Sequence, residues 1–252
     1  MKTAPRIQVF SSSTPAYHQA FQTFLDHTDQ KTKAREQLDV LVGQLPAKRT
    51  FIDAGAGNGK VTAWFTDAFE RTIAAEPNDS LRQELAQVCP RAEVLEHTIL
   101  DAPITAKGDF ILSSHVFYYI DDNAWMENLE RLASWLAPQG LLVVIIQNHE
   151  SDCMRMLRHF LKRSFNLNDV AQRFKTKHPG RYQVHMRTVP SQIAAPDLET
   201  AFRVAEFMLN LLPLQDPPSS EDVRAYVASQ FAAAGGGYRF SCTQDFLEIH
   251  PT

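Results

Sequence analysis

Cysteine is scarce. The 252 residues contain three, Cys89, Cys153 and Cys242, far apart and without CxxC spacing. An odd, scattered set argues against a disulfide framework and a zinc knuckle, and it fits a reducing, cytoplasmic compartment. Long hydrophobic runs are also lacking: the longest, Leu141–Ile146, is far too short to span a bilayer. The opening MKTAPRIQVFSSSTP carries Lys2 and Arg6 with no apolar stretch behind them, so it does not read as a secretory signal. No excess of positive charge exists: 25 Lys+Arg stand against 29 Asp+Glu, a net charge of −4. That leaves no electrostatic footprint for nucleic acid or for an anionic membrane surface. Repeats are absent, and the only low-complexity stretch is AAAGGG at 232–237. Neither His149-Glu150 nor Asp121-Asp122 makes a metal constellation, so no metal is expected.

What is present is an ordinary globular chain, 44% hydrophobic and 21% charged, of a length that suits one compact α/β domain with at most a modest extension. Its middle alternates strand and helix. RTFIDA (49–54) is a buried strand. KVTAWFTDAFER (60–71) places Val61, Trp64, Phe65 and Phe69 at helical spacing. TIAAEP (72–77) is a strand stopped by Pro77, then a helix covers 81–88. AEVLEHTI (92–99) and DFILSSHV (109–116) are strands three and four. A helix over 123–137 ends at Pro138-Gln139-Gly140, and GLLVVIIQN (140–148) has the continuous hydrophobicity of a central parallel strand. The rhythm implies a doubly wound α/β sheet. Outside it, 15–42 reads as helical, with Ser13 or Thr14 as cap and Pro15 in the first turn. Helices are also expected over 154–165, 198–212 and 220–231, the last capped by Ser219, with a strand over 182–189. YRFSCTQDFLEIH reads as a last strand on the sheet edge.

The chemistry gathers where the first strand runs into Asp53-Ala54-Gly55-Ala56-Gly57-Asn58-Gly59-Lys60. Glycines at 55, 57 and 59 permit a tight turn and a close approach of backbone to ligand, and the following helix would turn its N-terminal N–H groups toward that ligand. The spacing is neither the dinucleotide Gly-x-Gly-x-x-Gly nor a phosphate-binding Gly-Lys-Ser/Thr, because Val61 follows Lys60. The plain alternative is a Gly-rich turn without a ligand. Glu76 ends the second strand about 20 residues on, placed to accept both hydroxyls of a ribose. The alternative for Glu76 is a surface carboxylate at a strand end.

Together, FIDAGAGNGKVT and IAAEPN resemble the class I S-adenosylmethionine-dependent methyltransferases. The resemblance implies an α/β fold with a doubly wound, mostly parallel, seven-stranded Rossmann-like sheet and an antiparallel last strand. It implies S-adenosylmethionine as cofactor, held by Asp53, Gly55, Gly57 and Gly59, with Glu76 on the ribose. Thr98 and Ile99 would flank the adenine. Ser114 and His115 would lie beside the sulfonium. Many members carry Asp where Thr98 stands; the threonine hydroxyl can still accept.

A narrower resemblance is to the histamine N-methyltransferase group, on Tyr17-x-x-x-Phe21-x-x-Phe24-Leu25 and on Phe117-Tyr118-Tyr119. It implies a helical lid over 1–48 and a cofactor-binding domain over 49–252, in which 149–218, outside the strand–helix rhythm, reads as a substrate-side insertion. Tyr17, Phe21, Phe24, Phe117, Tyr118 and Tyr119 would line an aromatic pocket suited to a cation, with Gln30, Asn148 and Tyr182 as further pocket residues. An aromatic stripe at helical spacing is equally a core stripe. Gln30 stands where the histamine enzyme has Glu, and His115 where it has Gln, so the resemblance does not extend to histamine.

The catalytic candidates are His115, Tyr118 and Asn148. His115 reads either as a general base or as a strand-end histidine held by hydrogen bonds, and Asn148 either as an amide contact to an amine or as a turn residue. The expected activity is N-methyl transfer to a small amine or amino-acid-like metabolite. A second possibility keeps the fold and resembles the azetidine-2-carboxylate synthases of bacterial natural-product pathways, which cyclise S-adenosylmethionine and release methylthioadenosine. The third is a binding protein without turnover. The expected partner is a small molecule, with no nucleic acid and no membrane; oligomeric state is open, and a monomer is compatible with the sequence.

Overall fold

A computed structural model describes residues 5–11, 14–212 and 214–252. In chain order the main elements are α1 (Pro15–His27), α2 (Gln30–Gly43), β1 (Thr50–Ala54), β2 (Arg71–Ala75), α3 (Asp79–Val88), β3 (Glu93–Leu95), β4 (Gly108–Ser114), α4 (Trp125–Ser134) and β5 (Leu136–Gln147). There follow α5 (Asp152–Leu161), α6 (Leu167–Lys177), β6 (Tyr182–Val189), β7 (Gln192–Ala195), α7 (Leu198–Leu209), α8 (Ser220–Gln230), β8 (Tyr238–Ser241) and β9 (Gln244–Pro251). The chain divides into two compact units. One comprises Met1–Ala34, Gln147–Phe165 and Val189–Gln244; the other comprises Arg35–Ile146, Asn166–Thr188 and Asp245–Thr252.

The second unit carries the seven-stranded sheet, in the order β3-β2-β1-β4-β5-β9-β6. β1 pairs in parallel with β2 and β4, β2 with β3, and β4 with β5. β9 is the antiparallel strand, as expected. The backbone bond from Thr252 N to Arg181 O and the side-chain pair Thr188–Asp245 fix its antiparallel run beside β6. The parallel strands are buried along their length, which is why β1, β4 and β5 read as continuous apolar runs. Phe51 stacks on Phe110 at 5.2 Å and meets Phe69 at 5.6 Å, while Phe65 meets Phe110 edge-on at 5.6 Å. These rings are fully or nearly fully buried, and each contributes on the order of 2–3 kcal/mol by area alone.

Three expectations need correction. The helix over 60–71 is absent as a regular element: only Thr62–Trp64 forms a 3₁₀ turn. Phe65 and Phe69 are buried and Val61 and Trp64 half-buried, but the segment is rich in β-branched and aromatic residues. The Thr66 hydroxyl also turns back to the Thr62 carbonyl at 3.0 Å, so mixed three- and four-residue turns replace an α-helix. The helix expected over 123–137 already ends at Ser134, and Pro138-Gln139-Gly140 lies within β5, which starts at Leu136 and runs through with a register shift opposite Gly108 to Phe110. A bulge lets the strand take Pro. The terminal YRFSCTQDFLEIH is two strands. β8 pairs with β7 in a separate two-stranded sheet, and β9 lies inside the large sheet, with β6 as the edge. The polar residues Asp245 and Glu248 hid an interior strand. Their carboxylates are satisfied across the sheet by Thr188 (2.7 Å) and Arg187 (2.8 Å).

In the first unit, α1 packs on α7. Phe24 is buried, and Tyr17, Phe21 and Phe24 each meet the Phe207 ring at 5.5–5.8 Å. Thr14 caps α1 through Tyr17 N; Ser13 lies outside the described residues. Ser219 caps α8, accepting from Asp222 N at 3.0 Å. Asp152 ties the first turn of α5 to β8: its own N–H donates to Ser241 Oγ, and its carboxylate accepts from Ser241 N, both at 2.7–2.8 Å.

Asp109 carries a testable part of the second unit's stability. Its buried carboxylate accepts from Arg49 N (2.8 Å), Thr50 N (3.1 Å) and the Arg49 guanidinium (2.7 Å). Burial pushes its pKa up, but these donors outweigh burial and hold it below the usual carboxylate range. A depressed folded-state pKa stabilises above the unfolded value and is lost as pH falls, here below about pH 4. Asp109→Asn should therefore cost about 1–3 kcal/mol at neutral pH. In urea unfolding, the gap from the parent should shrink below pH 4; a constant gap would disprove the assignment.

Candidate functional site

The β1 end and the β2 end meet through backbone and carboxylate. Gly55, Gly57 and Gly59 have φ of 81°, 56° and 80°, the left-handed region that favours glycine. Gly55 N and Ala56 N both donate to Ala75 O, at 2.8 and 3.0 Å, so the turn folds over β2. A Cβ on Gly55 would collide with Val116, and one on Gly59 would meet Leu85 Cδ1 at 2.9 Å. At Gly57 nothing lies within 4 Å of an added Cβ. The first and third glycines thus serve packing, and the second leaves the backbone open.

Glu76 is only 7% exposed. One oxygen accepts from Gly57 N and the other from Asn78 N, both at 2.8 Å. Each carboxylate oxygen keeps a further lone pair, enough to accept the two hydroxyls of a diol. Asp53, also buried, accepts the Thr62 hydroxyl at 2.6 Å and so anchors the far side of the loop. The loop does not run into a regular helix. Any ligand here meets loop N–H groups and a carboxylate rather than a helix dipole, contrary to the expected helix N-terminus.

Past β3, Ile99 is buried and Thr98 is exposed. The Thr98 hydroxyl donates to Asp101 at 2.6 Å. Asp101 was not anticipated; its signal was the Thr-x-x-Asp spacing, a turn pattern. His97 has a buried Nδ1 without a hydrogen-bond partner. That orphan, next to the β3 end whose Leu95 carbonyl receives Glu76 N at 3.0 Å, fits a site made to receive a polar ligand.

After β4 the chain turns at His115, which has φ +60°, rare for a non-glycine residue. Its N–H bonds Ile145 O at 2.7 Å. The ring lies roughly parallel to Tyr118 at 5.9 Å, with Nδ1 3.4 Å from the phenol oxygen. Ser114, part-buried, precedes it and pairs with Ile145. Val116, next along, is the side chain that closes over Gly55, so the β4 turn and the glycine loop share a packing contact. The three aromatics behave differently. Phe117 is fully buried against Trp125 at 5.3 Å, Tyr118 is buried, and Tyr119 is 67% exposed.

Of the other candidates, Tyr182 belongs to the second unit and Gln30, Asn148, Tyr17, Phe21 and Phe24 to the first. Tyr182 begins β6, packed on Phe174 at 5.2 Å, at the sheet end where the parallel strands start; it is not brought to the glycine loop, which sits where they finish. In the first unit, Gln30 is buried and its amide donates to Cys242 O at 3.1 Å. Asn148 Oδ1 accepts from Glu150 N at 2.9 Å, a turn before α5. Tyr17, Phe21 and Phe24 pack on α7 as described. Among the described residues, no helix is long and apolar enough to cross a membrane, and no group of three or more His, Cys, Asp or Glu could hold a metal.

Comparison with known proteins turns on this glycine loop and its sheet. A family model described as a methyltransferase domain matches residues 25–209. The chain belongs to that methyltransferase family. A curated relative, an uncharacterized methyltransferase from Alkaliphilus oremlandii, is 24% identical over 101 residues, 40% of this chain; the match spans about half, 47%, of the relative. Among solved structures, a Bacillus halodurans protein described as a putative methyltransferase aligns with TM-score 0.62 at 10% identity, over 83% of this chain and 95% of that one. The N-methyltransferase NodS from Bradyrhizobium japonicum, solved with S-adenosyl-L-homocysteine, aligns with TM-score 0.56 at 14% identity, over 95% and 99%. At such identity these structures establish the methyltransferase fold.

Proposed function

We propose that this methyltransferase-family chain is an S-adenosylmethionine-dependent enzyme acting on a small molecule, by N-methyl transfer to an uncharged amine or amino-acid-like metabolite. The carrying observation is Glu76, a nearly buried carboxylate that spans Gly57 N and Asn78 N with capacity left for a ribose diol. Asp53, Gly55 and Gly59 hold the loop in shape, while the open backbone at Gly57 receives the methionine part. Thr98 and Ile99 border the adenine, with Asp101 as an acceptor for its amino group. When bound, S-adenosylmethionine supplies an electrophilic methyl on sulfur.

The chain's own groups then position rather than activate. Ser114 and His115 stand at the β4 turn, and Tyr118 fixes the imidazole. A neutral amine nitrogen forms the new N–C bond as the S–C bond breaks, and the resulting ammonium releases its proton afterwards, so no strong base is required. Proximity supplies most of the rate. His115 is assigned to accept that proton.

A second reading, raised by the resemblance to the azetidine-2-carboxylate synthases, is cyclisation. In it S-adenosylmethionine is itself the substrate: its α-amine forms a bond to its γ-carbon, the γ-carbon–sulfur bond breaks, methylthioadenosine leaves, and the ring nitrogen loses a proton. One experiment separates these. The protein is incubated with S-adenosylmethionine, with and without a panel of amines, and products are resolved by mass. S-adenosylhomocysteine appearing only with an amine supports methyl transfer. Methylthioadenosine plus a cyclic amino acid without any amine replaces it by cyclisation. No turnover with intact binding rejects both.

A further inference from the structure

The end of the sheet where the parallel strands begin carries a cavity of about 610 Å³. It is lined by the β5 bulge (Pro138, Gln139, Gly140), by Gln183 and His185 of β6, and by His250 at the end of β9. This floor belongs wholly to the second unit and lies away from Glu76. It takes no part in the reaction proposed above.

The strand register puts the two histidines on one face of the sheet, one diagonal apart. Thr252 N to Arg181 O, and Thr188 to Asp245, set β6 against β9 so that His185 lies opposite Glu248 and diagonal to His250. The same diagonal already brings Arg187 Nε to Glu248 Oε1 at 2.8 Å, so side chains in that relation touch. Residues two apart on a strand share a face. Gln183, His185 and Arg187 therefore stand on the face that carries Glu248 and His250. The β5 bulge approaches this corner, and the Gly140 backbone accepts a hydrogen bond from the His250 ring. A histidine that gives one ring N–H to a carbonyl presents its other nitrogen as a lone pair, the usual arrangement behind a metal-bound imidazole.

We propose that His185 and His250 bind a single divalent transition-metal ion of the imidazole-preferring class, such as zinc or nickel, at the mouth of this cavity. Two imidazoles supply the protein nitrogens. The side-chain oxygens of Gln139 and Gln183, both lining the same cavity, and water complete the shell. Glu248, held by Arg187, adds negative charge beside the ion without leaving its ion pair. Calcium and magnesium, which demand oxygen ligands, do not suit this donor set.

The test titrates the full-length, tag-free chain with zinc chloride in a calorimeter and repeats the titration with His185→Gln and His250→Gln. The expected result is one ion per chain for the parent, with that binding lost in both variants. The parent should also gain thermal stability with zinc, and His185→Gln should not; His185 is exposed, so this variant keeps its fold even if His250→Gln does not. Parent-like zinc affinity in His185→Gln, no binding by the parent, or inorganic phosphate binding at the same residues in place of zinc would each overturn the proposal.

Discussion

Glu76→Ala is expected to weaken S-adenosylmethionine binding by roughly ten- to a hundred-fold, or about 1.5–3 kcal/mol, the range for losing a hydrogen-bond partner that carries charge. Two losses combine. The ribose loses its acceptor, and Gly57 N and Asn78 N lose the oxygens that hold them at 2.8 Å. The second loss is structural, so the variant should also show a loosened loop. Glu76→Gln separates the two. An amide keeps one acceptor oxygen but points N–H groups at the other donor, so its affinity should fall between parent and alanine. Calorimetric titration of the three proteins checks the order. Equal affinity in all three would remove Glu76 from the site.

Gly55→Ala should be the most damaging small substitution in the loop. At φ +81° an L-residue pays about 1–2 kcal/mol. Its Cβ would also press on the stiff, β-branched Val116, with the Cγ1 at 3.1 Å and the Cγ2 closer still. Overpacking of this kind adds about 1–3 kcal/mol. Val116 follows His115, so relief of the clash must move the β4 turn. The expected outcome is lower stability in denaturant melts together with loss of turnover. Gly57→Ala carries a similar backbone strain at φ +56° but finds open space for its Cβ, so it should lose less stability than Gly55→Ala and lose ligand binding. If Gly55→Ala and Gly57→Ala behaved alike, the division of labour between the two glycines would be wrong.

The parallel core was legible because its strands are buried on both faces and read as unbroken apolar runs ended by glycine or proline. The glycine loop and Glu76 were legible because a turn with three left-handed residues leaves a spacing that few other structures need. What the sequence concealed has physical causes. The segment after Gly59 has helical spacing of its apolar residues, of which Phe65 and Phe69 reach the core, yet its threonines and aromatics favour irregular turns. β9 looked like an edge strand because its buried carboxylates, Asp245 and Glu248, break the apolar pattern; their partners Thr188 and Arg187 lie more than fifty residues away. α6 and the β7–β8 pair went unread, being short elements with polar outer faces. The aromatic stripe of α1 is real, and its contacts within its own unit are with Phe207.

The central claim is that S-adenosylmethionine sits on the Gly55–Gly59 loop with its ribose on Glu76. Hydrogen–deuterium exchange of the intact chain, with and without a saturating concentration of S-adenosylmethionine, tests it most directly. Peptides covering Asp53–Lys60 and Glu76–Asn78 should gain the largest protection, with a smaller gain around Thr98–Asp101, and Glu76→Ala should need about ten- to a hundred-fold more ligand to reach the same protection. Binding heat without protection of those peptides, or protection confined to another part of the chain, would contradict the account.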